Sequence, residues 1–194
     1  APVVVFGGAG PMALERRRPH IDWIHSAHVQ GNVVRDYTKW DDQPYSVDAV
    51  PEVVARAHRV AMEEPRGPVY IALDAGLQED ELTGEETLPD FSRLGAPSRI
   101  APEPEALRRL AEALVAAERP VLVAGYAGRD PAAFDLLVEL AELVGIGAID
   151  TEWRHNFPNR HPLNVTSTDA IDEADCVLFV DVKDFGKPTQ RLDK

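Results

Sequence analysis

The sequence predicts an α/β protein in which parallel sheets are covered by helices and are divided between two partial domains. Short apolar runs alternate with segments of helical periodicity, a pattern typical of parallel strands joined by helices. Glycine follows several of these runs, as expected where a buried strand enters a tight turn. An acidic stretch without apolar periodicity, residues 79–95, separates two such series. We therefore expect two sheets joined by a linker.

The first series begins with a strand at Val3–Phe6, which runs into a turn rich in glycine. Apolar residues at helical spacing predict a helix from about residue 48 to 64, with Asp48 as its cap and Pro51 in its first turn. Proline and glycine then end this helix, and a buried strand follows at residues 68–73. The first unit is thus expected to consist of a strand, a long connection, a helix and a second strand.

The second series contains three further strands. Asp130 is suited to cap a helix that Pro131 opens. The predicted elements are helix 106–114, strand 121–124, the helix from Pro131, strand 146–149, short helix 170–174 and strand 176–182.

The predicted boundaries place a first domain at residues 1–82, a linker at 83–101 and a second domain at 102–194 that is incomplete at its C-terminus. A parallel sheet that opens with a lone strand, and lacks a covering helix after Val182, would leave apolar faces in water. We therefore expect this chain to be an internal piece of a larger protein that does not catalyse a reaction alone.

The composition excludes several classes of function. The formal charge of −13 disfavours nucleic acid and anionic membranes as partners. The basic triplet Arg16–Arg18 is the one cluster of positive charge, and we interpret it as a solvated turn. No apolar run is long enough to span a membrane. The single cysteine, Cys176, lies in an apolar run, so a reducing, cytoplasmic location is expected.

The residues Gly8-x-Gly10-x-x-Ala13 imitate a dinucleotide-binding fingerprint. Pro11 occupies the turn, however, and Pro19 would stop the following helix after about two turns. We interpret this segment as a plain turn at the end of a strand.

A second turn, from Gly125 to Asp130, lies between a predicted strand and a capped helix. Backbone amides at such a place can hold a phosphate. Gly125, Tyr126, Gly128 and Arg129 are therefore candidates for nucleotide contact, and a purely structural turn is the alternative.

The pair His25-x-x-His28, with His20 nearby, would put two imidazoles on one helical face. Zinc needs three or four ligands, and no cysteine or paired carboxylate accompanies these histidines, so we expect no metal site. One of them could instead line a polar site with Gln30, Lys39 and Trp40. An interface loop is the alternative.

Several segments, taken in order, resemble the thiamine-diphosphate-dependent enzymes of the acetolactate synthase and benzoylformate decarboxylase type. The resemblance implies the C-terminal half of a flavodoxin-like pyrimidine-binding domain followed by most of a Rossmann-like central domain. The segments are Tyr37-Thr38-Lys39-Trp40, residues 66–74, residues 119–125, His161-Pro162-Leu163 and residues 169–175.

The resemblance also implies a function. The whole protein would use thiamine diphosphate and Mg²⁺ to decarboxylate or join small 2-keto acids, as a homodimer or homotetramer. The family's activating glutamate and its Gly-Asp-Gly motif fall outside this chain, so no catalytic residue is assigned here. His28, Gln30, Lys39 and Trp40 become candidates for the substrate or subunit face.

In the central domain, Lys183 stands where the family often has arginine, so ADP or another nucleotide is a candidate ligand. FAD is not expected, because only residues 164–168 separate the His-Pro-Leu motif from the next predicted helix. The alternative to an enzyme is a non-catalytic nucleotide-binding or assembly module of the same fold.

Overall fold

A computed structural model gives the fold of the chain in two compact units, Ala1–Ile100 and Ala101–Lys194. Their assignment to a pyrimidine-binding and a central domain stays a prediction. The residues that the structure describes are 1–19, 27–86, 88–93, 95, 98, 100–151 and 154–186.

The first unit contains a parallel sheet of three strands. β1 (Val4–Ala9), β2 (Trp40–Asp42) and β3 (Val69–Asp74) lie in the order β1-β3-β2. The central strand β3 pairs Ile71 with Phe6 on one side and with Asp42 on the other. The carboxyl ends of all three strands therefore meet at one edge.

One helix forms the core of this unit against the sheet. Helix α2 (Ala49–Met62) buries Ala57 and Ala61 against Val69 and Ile71 of β3, and all four are at most 2% exposed. Alanine on the buried face lets the helix approach the strand closely, and each buried valine or isoleucine contributes about 1.5–3 kcal/mol. Two short helices complete the unit, α1 (Gly31–Val34) and α3 (Ala75–Glu79).

The predicted start of α2 was correct, but its cap was wrong. The side chain of Asp48 makes no capping hydrogen bond. Instead, the Oγ of Ser46 accepts a hydrogen bond from the backbone amide of Ala49 at 3.3 Å. The short strand β2 was not predicted, because only Trp40 among its three residues is apolar.

The second unit has the same design. Its strands are β4 (Pro120–Ala124), β5 (Gly147–Asp150) and β6 (Cys176–Val180), all parallel and in the order β5-β4-β6. The helices are α4 (Pro104–Ala116) and α5 (Pro131–Val144). The predicted parallel α/β architecture is thus confirmed.

Side chains alternate along β4 between two cores. Leu122 and Ala124 pack with α4 and α5 on one face. Val121 and Val123 face the other side, where Ile171 of the 3₁₀ helix Ala170–Glu173 covers them. Within the described residues, the two long helices therefore lie on one face of this sheet.

The helix ends of the second unit follow the sequence signals. The carboxylate of Asp130 accepts a hydrogen bond from the amide of Ala132 at 3.1 Å, as predicted, and Pro131 occupies the first turn. Gly145 ends α5 in the left-handed conformation, with φ of 71°. Over the described part of the chain, no helix has the length and apolar character that crossing a membrane requires.

Candidate functional site

The turn that follows β4, residues 125–130, is held closely by its own chain. A Cβ at Gly125 would lie 2.5 Å from the carbonyl oxygen of Asp181. A Cβ at Gly128 would lie 2.1 Å from the carbonyl oxygen of His155. Both distances are far below van der Waals contact, so packing within the protein already requires glycine at these two positions.

The backbone amides of this turn are also engaged. Gly125 donates to the carbonyl of Val180 at 3.0 Å, and Tyr126 donates to that of Asp181 at 2.9 Å. The amide of Gly128 donates to the Oδ1 of Asn156 at 2.9 Å. A phosphate cradle needs amides that point at the ligand, so these contacts favour the structural turn.

The structure does bring the predicted side chains of this turn together. The Nε of Arg129 lies 3.1 Å from an Oδ2 of Asp181. The ammonium of Lys183 lies 4.3 Å from the ring centroid of Tyr126, a cation–π contact. These contacts tie the loop after β4 to the loop after β6. Nucleotide binding at Gly125, Tyr126, Gly128, Arg129 and Lys183 stays a prediction, and this geometry does not favour it.

Sequence reasoning missed the polar centre beside this turn. The fully buried Asn156 donates from its Nδ2 to Oδ1 of Asp150 at 2.7 Å and to the carbonyl oxygens of Arg154 at 3.0 Å and Ala124 at 3.3 Å. With the bond from Gly128, one side chain joins the ends of β4 and β5. Asn156 lies in a loop without periodicity, so only Asp150, at the end of a strand, offered a signal.

A polar cleft of about 360 Å³ opens next to this centre. Hydroxyl, amide and charged side chains line it, so it is suited to hydrogen-bonding ligands rather than apolar ones. The lining residues are Asp150, Thr151, Arg154, His155, Asn159, Asn164, Thr166 and Ser167.

In the first unit, Gln30 is fixed at the carboxyl end of the sheet. Its Nε2 donates to the carbonyl oxygen of Gly8 at 2.6 Å, and its Oε1 accepts from the hydroxyl of Tyr70 at 2.7 Å. Because a carbonyl can only accept, the amide orientation is determined. The phenol of Tyr70 lies over Gly7, where a Cβ would be 1.7 Å from the hydroxyl oxygen.

Lys39 and Trp40 have structural contacts. The ammonium of Lys39 donates to the carbonyl oxygens of Val60 at 2.9 Å and Glu63 at 2.7 Å, at the C-terminus of α2. A cation at this end also interacts favourably with the helix dipole. Trp40 packs against the core beneath α2. A substrate or subunit role for His28, Gln30, Lys39 and Trp40 stays a prediction. His20 and His25 lie outside the described residues.

The basic triplet was predicted to be a solvated turn, and Arg16 and Arg18 are indeed exposed. Both also make contacts that the sequence did not indicate. Arg16 donates to the carbonyl oxygen of Gly76 at 2.9 Å and pairs with Asp80. Arg18 pairs with Glu79. Both arginines therefore bind the acidic end of α3, whose residues lie far away in the sequence.

Another ion pair lies at the end of α1. Arg35 contacts both carboxylate oxygens of Asp41, at 3.0 and 2.8 Å. The hydrogen bonds from Arg35 hold the pKa of Asp41 below its ordinary value. A Cβ at Gly31 would lie 1.9 Å from this carboxylate. Glycine at position 31 therefore leaves the space that the carboxylate of Asp41 occupies.

Among the described residues, no group of three or more histidine, cysteine, aspartate or glutamate side chains could hold a metal ion. A site for Mg²⁺ outside this chain stays a prediction.

The chain is similar in sequence to several curated proteins, although no protein-family model matches it. It is 30% identical over 167 residues to the probable 2-ketoarginine decarboxylase AruI of Pseudomonas aeruginosa, covering 81% of this chain and 29% of that protein. It is 27% identical over 185 residues to the acetolactate synthase of Mycobacterium bovis, covering 89% of this chain and 29% of that enzyme. The chain thus spans less than a third of the length of these relatives.

Solved structures share the fold. A crystal structure from Mycobacterium smegmatis, assigned as a thiamin diphosphate-dependent enzyme, superposes with a TM-score of 0.74 at 23% identity and covers 92% of this chain and 35% of that one. Benzoylformate decarboxylase from Polynucleobacter necessarius gives a TM-score of 0.69 at 25% identity and covers 84% and 29%. Sequence and fold agree over most of the chain, which therefore belongs to the family of thiamine-diphosphate-dependent enzymes.

Proposed function

We propose that the whole protein containing this chain uses thiamine diphosphate and Mg²⁺ to decarboxylate a 2-keto acid or to join two such molecules. The observation that carries the proposal is the 30% identity to a 2-ketoarginine decarboxylase over 81% of the chain. Similarity to an acetolactate synthase and to a benzoylformate decarboxylase supports it. 2-Ketoarginine and benzoylformate are both 2-keto acids. The bond that would be broken or formed in the proposed reaction is therefore adjacent to a carbonyl group.

The chain itself would serve as scaffold for this reaction. Thiamine diphosphate supplies carbanion stabilisation, and the protein supplies binding and orientation. The polar side chains at the strand ends, such as Asn156 and Gln30, bond to their own backbone. This arrangement supports a role in fixing loops rather than in transferring protons.

Isothermal titration with thiamine diphosphate and Mg²⁺ tests the proposal. We expect micromolar binding by the product of the complete reading frame and no binding by the 194-residue chain. The complete product should also release CO₂ from at least one member of a panel of 2-keto acids. Failure of the complete product to bind the cofactor would refute the proposed reaction. Binding by the 194-residue chain would refute the scaffold role.

We also propose that the protein is a cytoplasmic homodimer or homotetramer that does not bind nucleic acid. Large apolar side chains on α5 support association, since Leu136 is 62% and Leu143 is 81% exposed. The formal charge of −13 supports the absence of nucleic acid. Sedimentation velocity of the complete product checks the oligomer, and a purely monomeric species at micromolar concentration would contradict it.

A further inference from the structure

The first unit contains an apolar pocket that the proposed reaction does not use. Its volume is about 420 Å³, within the range of small-molecule sites. Seven apolar side chains form most of its wall, together with four polar ones. The apolar residues are Val47, Val50, Pro51, Leu73, Leu77, Leu82 and Leu88.

Three segments build this pocket. Leu73 at the end of β3 and Leu77 of α3 are half-buried, and so are the residues at the start of α2. Leu82 and Leu88 lie beyond α3 and are 70% and 73% exposed. A ligand in the pocket would remove this apolar surface from water, which favours binding of an apolar group.

The charged residues that line the pocket are all acidic. They are Asp48, Asp80 and Glu86. Arg16 neutralises Asp80. Glu86 accepts hydrogen bonds from the amides of Thr83 and Gly84, and the Thr83 amide in particular lowers the pKa of this carboxyl.

Asp48 adds a second carboxylate that forms no ion pair with the described residues. It is exposed and makes no capping bond to α2, since Ser46 takes that role. Two negative charges beside an apolar wall attract a cation and repel an anion. This negative charge therefore favours a cation among the ligands whose apolar part fits the pocket.

We propose that this pocket binds an organic cation with an apolar body, such as an alkylammonium or arylammonium group. The apolar body lies between the start of α2 and Leu82 and Leu88, and the positive group faces Asp48 and Glu86. The proposal does not depend on the reaction of the whole protein, because it uses residues of the first unit alone.

The test is a titration of the ¹⁵N-labelled 194-residue chain, followed by amide chemical shifts. Benzylammonium is the probe, with benzyl alcohol, phenylacetate and methylammonium as comparisons. We expect saturable shifts at Val50, Leu77 and Leu82 with benzylammonium. Binding should be weaker with the neutral alcohol, and undetectable with the anion and with the cation that lacks an apolar body.

Two variants locate the site. Asp48→Asn is at an exposed position, so it should fold normally and weaken benzylammonium binding about threefold, while binding of the alcohol stays unchanged. Val50→Trp should fill the pocket and abolish the shifts. The matched control is Val115→Trp, at a position of α4 that is 76% exposed, and it should bind as the parent chain does.

Three outcomes would overturn the proposal. The first is the absence of saturable shifts with benzylammonium. The second is equal affinity for benzylammonium and phenylacetate. The third is unchanged binding in Asp48→Asn. Should Val50→Trp fail to fold, as judged by circular dichroism, the exposed variant Leu88→Ala replaces it and must weaken binding of both the cation and the alcohol.

Discussion

Replacing Asn156 by alanine should strongly destabilise the second unit. The side chain is fully buried and makes four hydrogen bonds, of 2.7 to 3.3 Å, to Asp150, Gly128, Arg154 and Ala124. Alanine leaves the amide of Gly128 and an oxygen of Asp150 without these partners. Each unsatisfied buried group costs about 1–3 kcal/mol. For these two groups we therefore expect a loss of about 2–6 kcal/mol in the free energy of unfolding.

The assay is urea unfolding followed by circular dichroism. Hydrogen exchange of residues 120–150 assigns the loss to the second unit. Asn159→Ala is the matched control, because Asn159 lies three positions away and is exposed. The control should change stability by less than about 0.5 kcal/mol. A loss in Asn156→Ala within about 1 kcal/mol of the control would refute the role assigned to this side chain.

Three further substitutions test other contacts. Lys39→Met should remove the cation at the C-terminus of α2 and cost about 1 kcal/mol, measured as a lower Tm, and an unchanged Tm would contradict the capping role. Gly128→Ala should cost about 1–3 kcal/mol in urea unfolding, because its Cβ would collide with a carbonyl oxygen, whereas Gly95→Ala meets no atom within 4 Å and should be neutral. Backbone amides of the two residues before β4 hold the pKa of Asp175 below its ordinary value of 3.8. The ionised Asp175 therefore stabilises the fold at pH values above 3.8. This stabilisation is lost as the pH falls through the lower pKa of the folded state. In strong acid, the parent chain and Asp175→Asn should therefore no longer differ in stability by this contribution. A stability difference independent of pH would exclude this mechanism.

The sequence predicts the strands well where burial on both faces makes them continuously apolar. β3, β4 and β6 are runs of this kind, and their bounds differ from the prediction by one or two residues. β2 escaped prediction because it pairs through its backbone, with Trp40 as its one apolar residue. Caps were predictable only in part, since Asp130 bonds to its helix and Asp48 does not.

The candidate sites were harder to predict, because their state depends on partners far along the chain. The turn at Gly125 has the position and composition of a phosphate loop. Whether its amides are available depends on Val180, Asp181 and Asn156, which no local pattern reveals. The contacts of Lys39 could not be predicted for the same reason. Its ammonium donates hydrogen bonds to carbonyl groups at the end of α2, a helix that begins ten residues later in the sequence.

The order of strands in the second unit has a consequence for synthesis on the ribosome. β4 lies at the centre of the sheet, and its Pro120 pairs with Cys176 of β6. A nascent chain must therefore emerge as far as β6, Cys176–Val180, before both edges of β4 are paired. During that interval an uncharged strand has an open edge, which is the state in which chaperones meet new proteins.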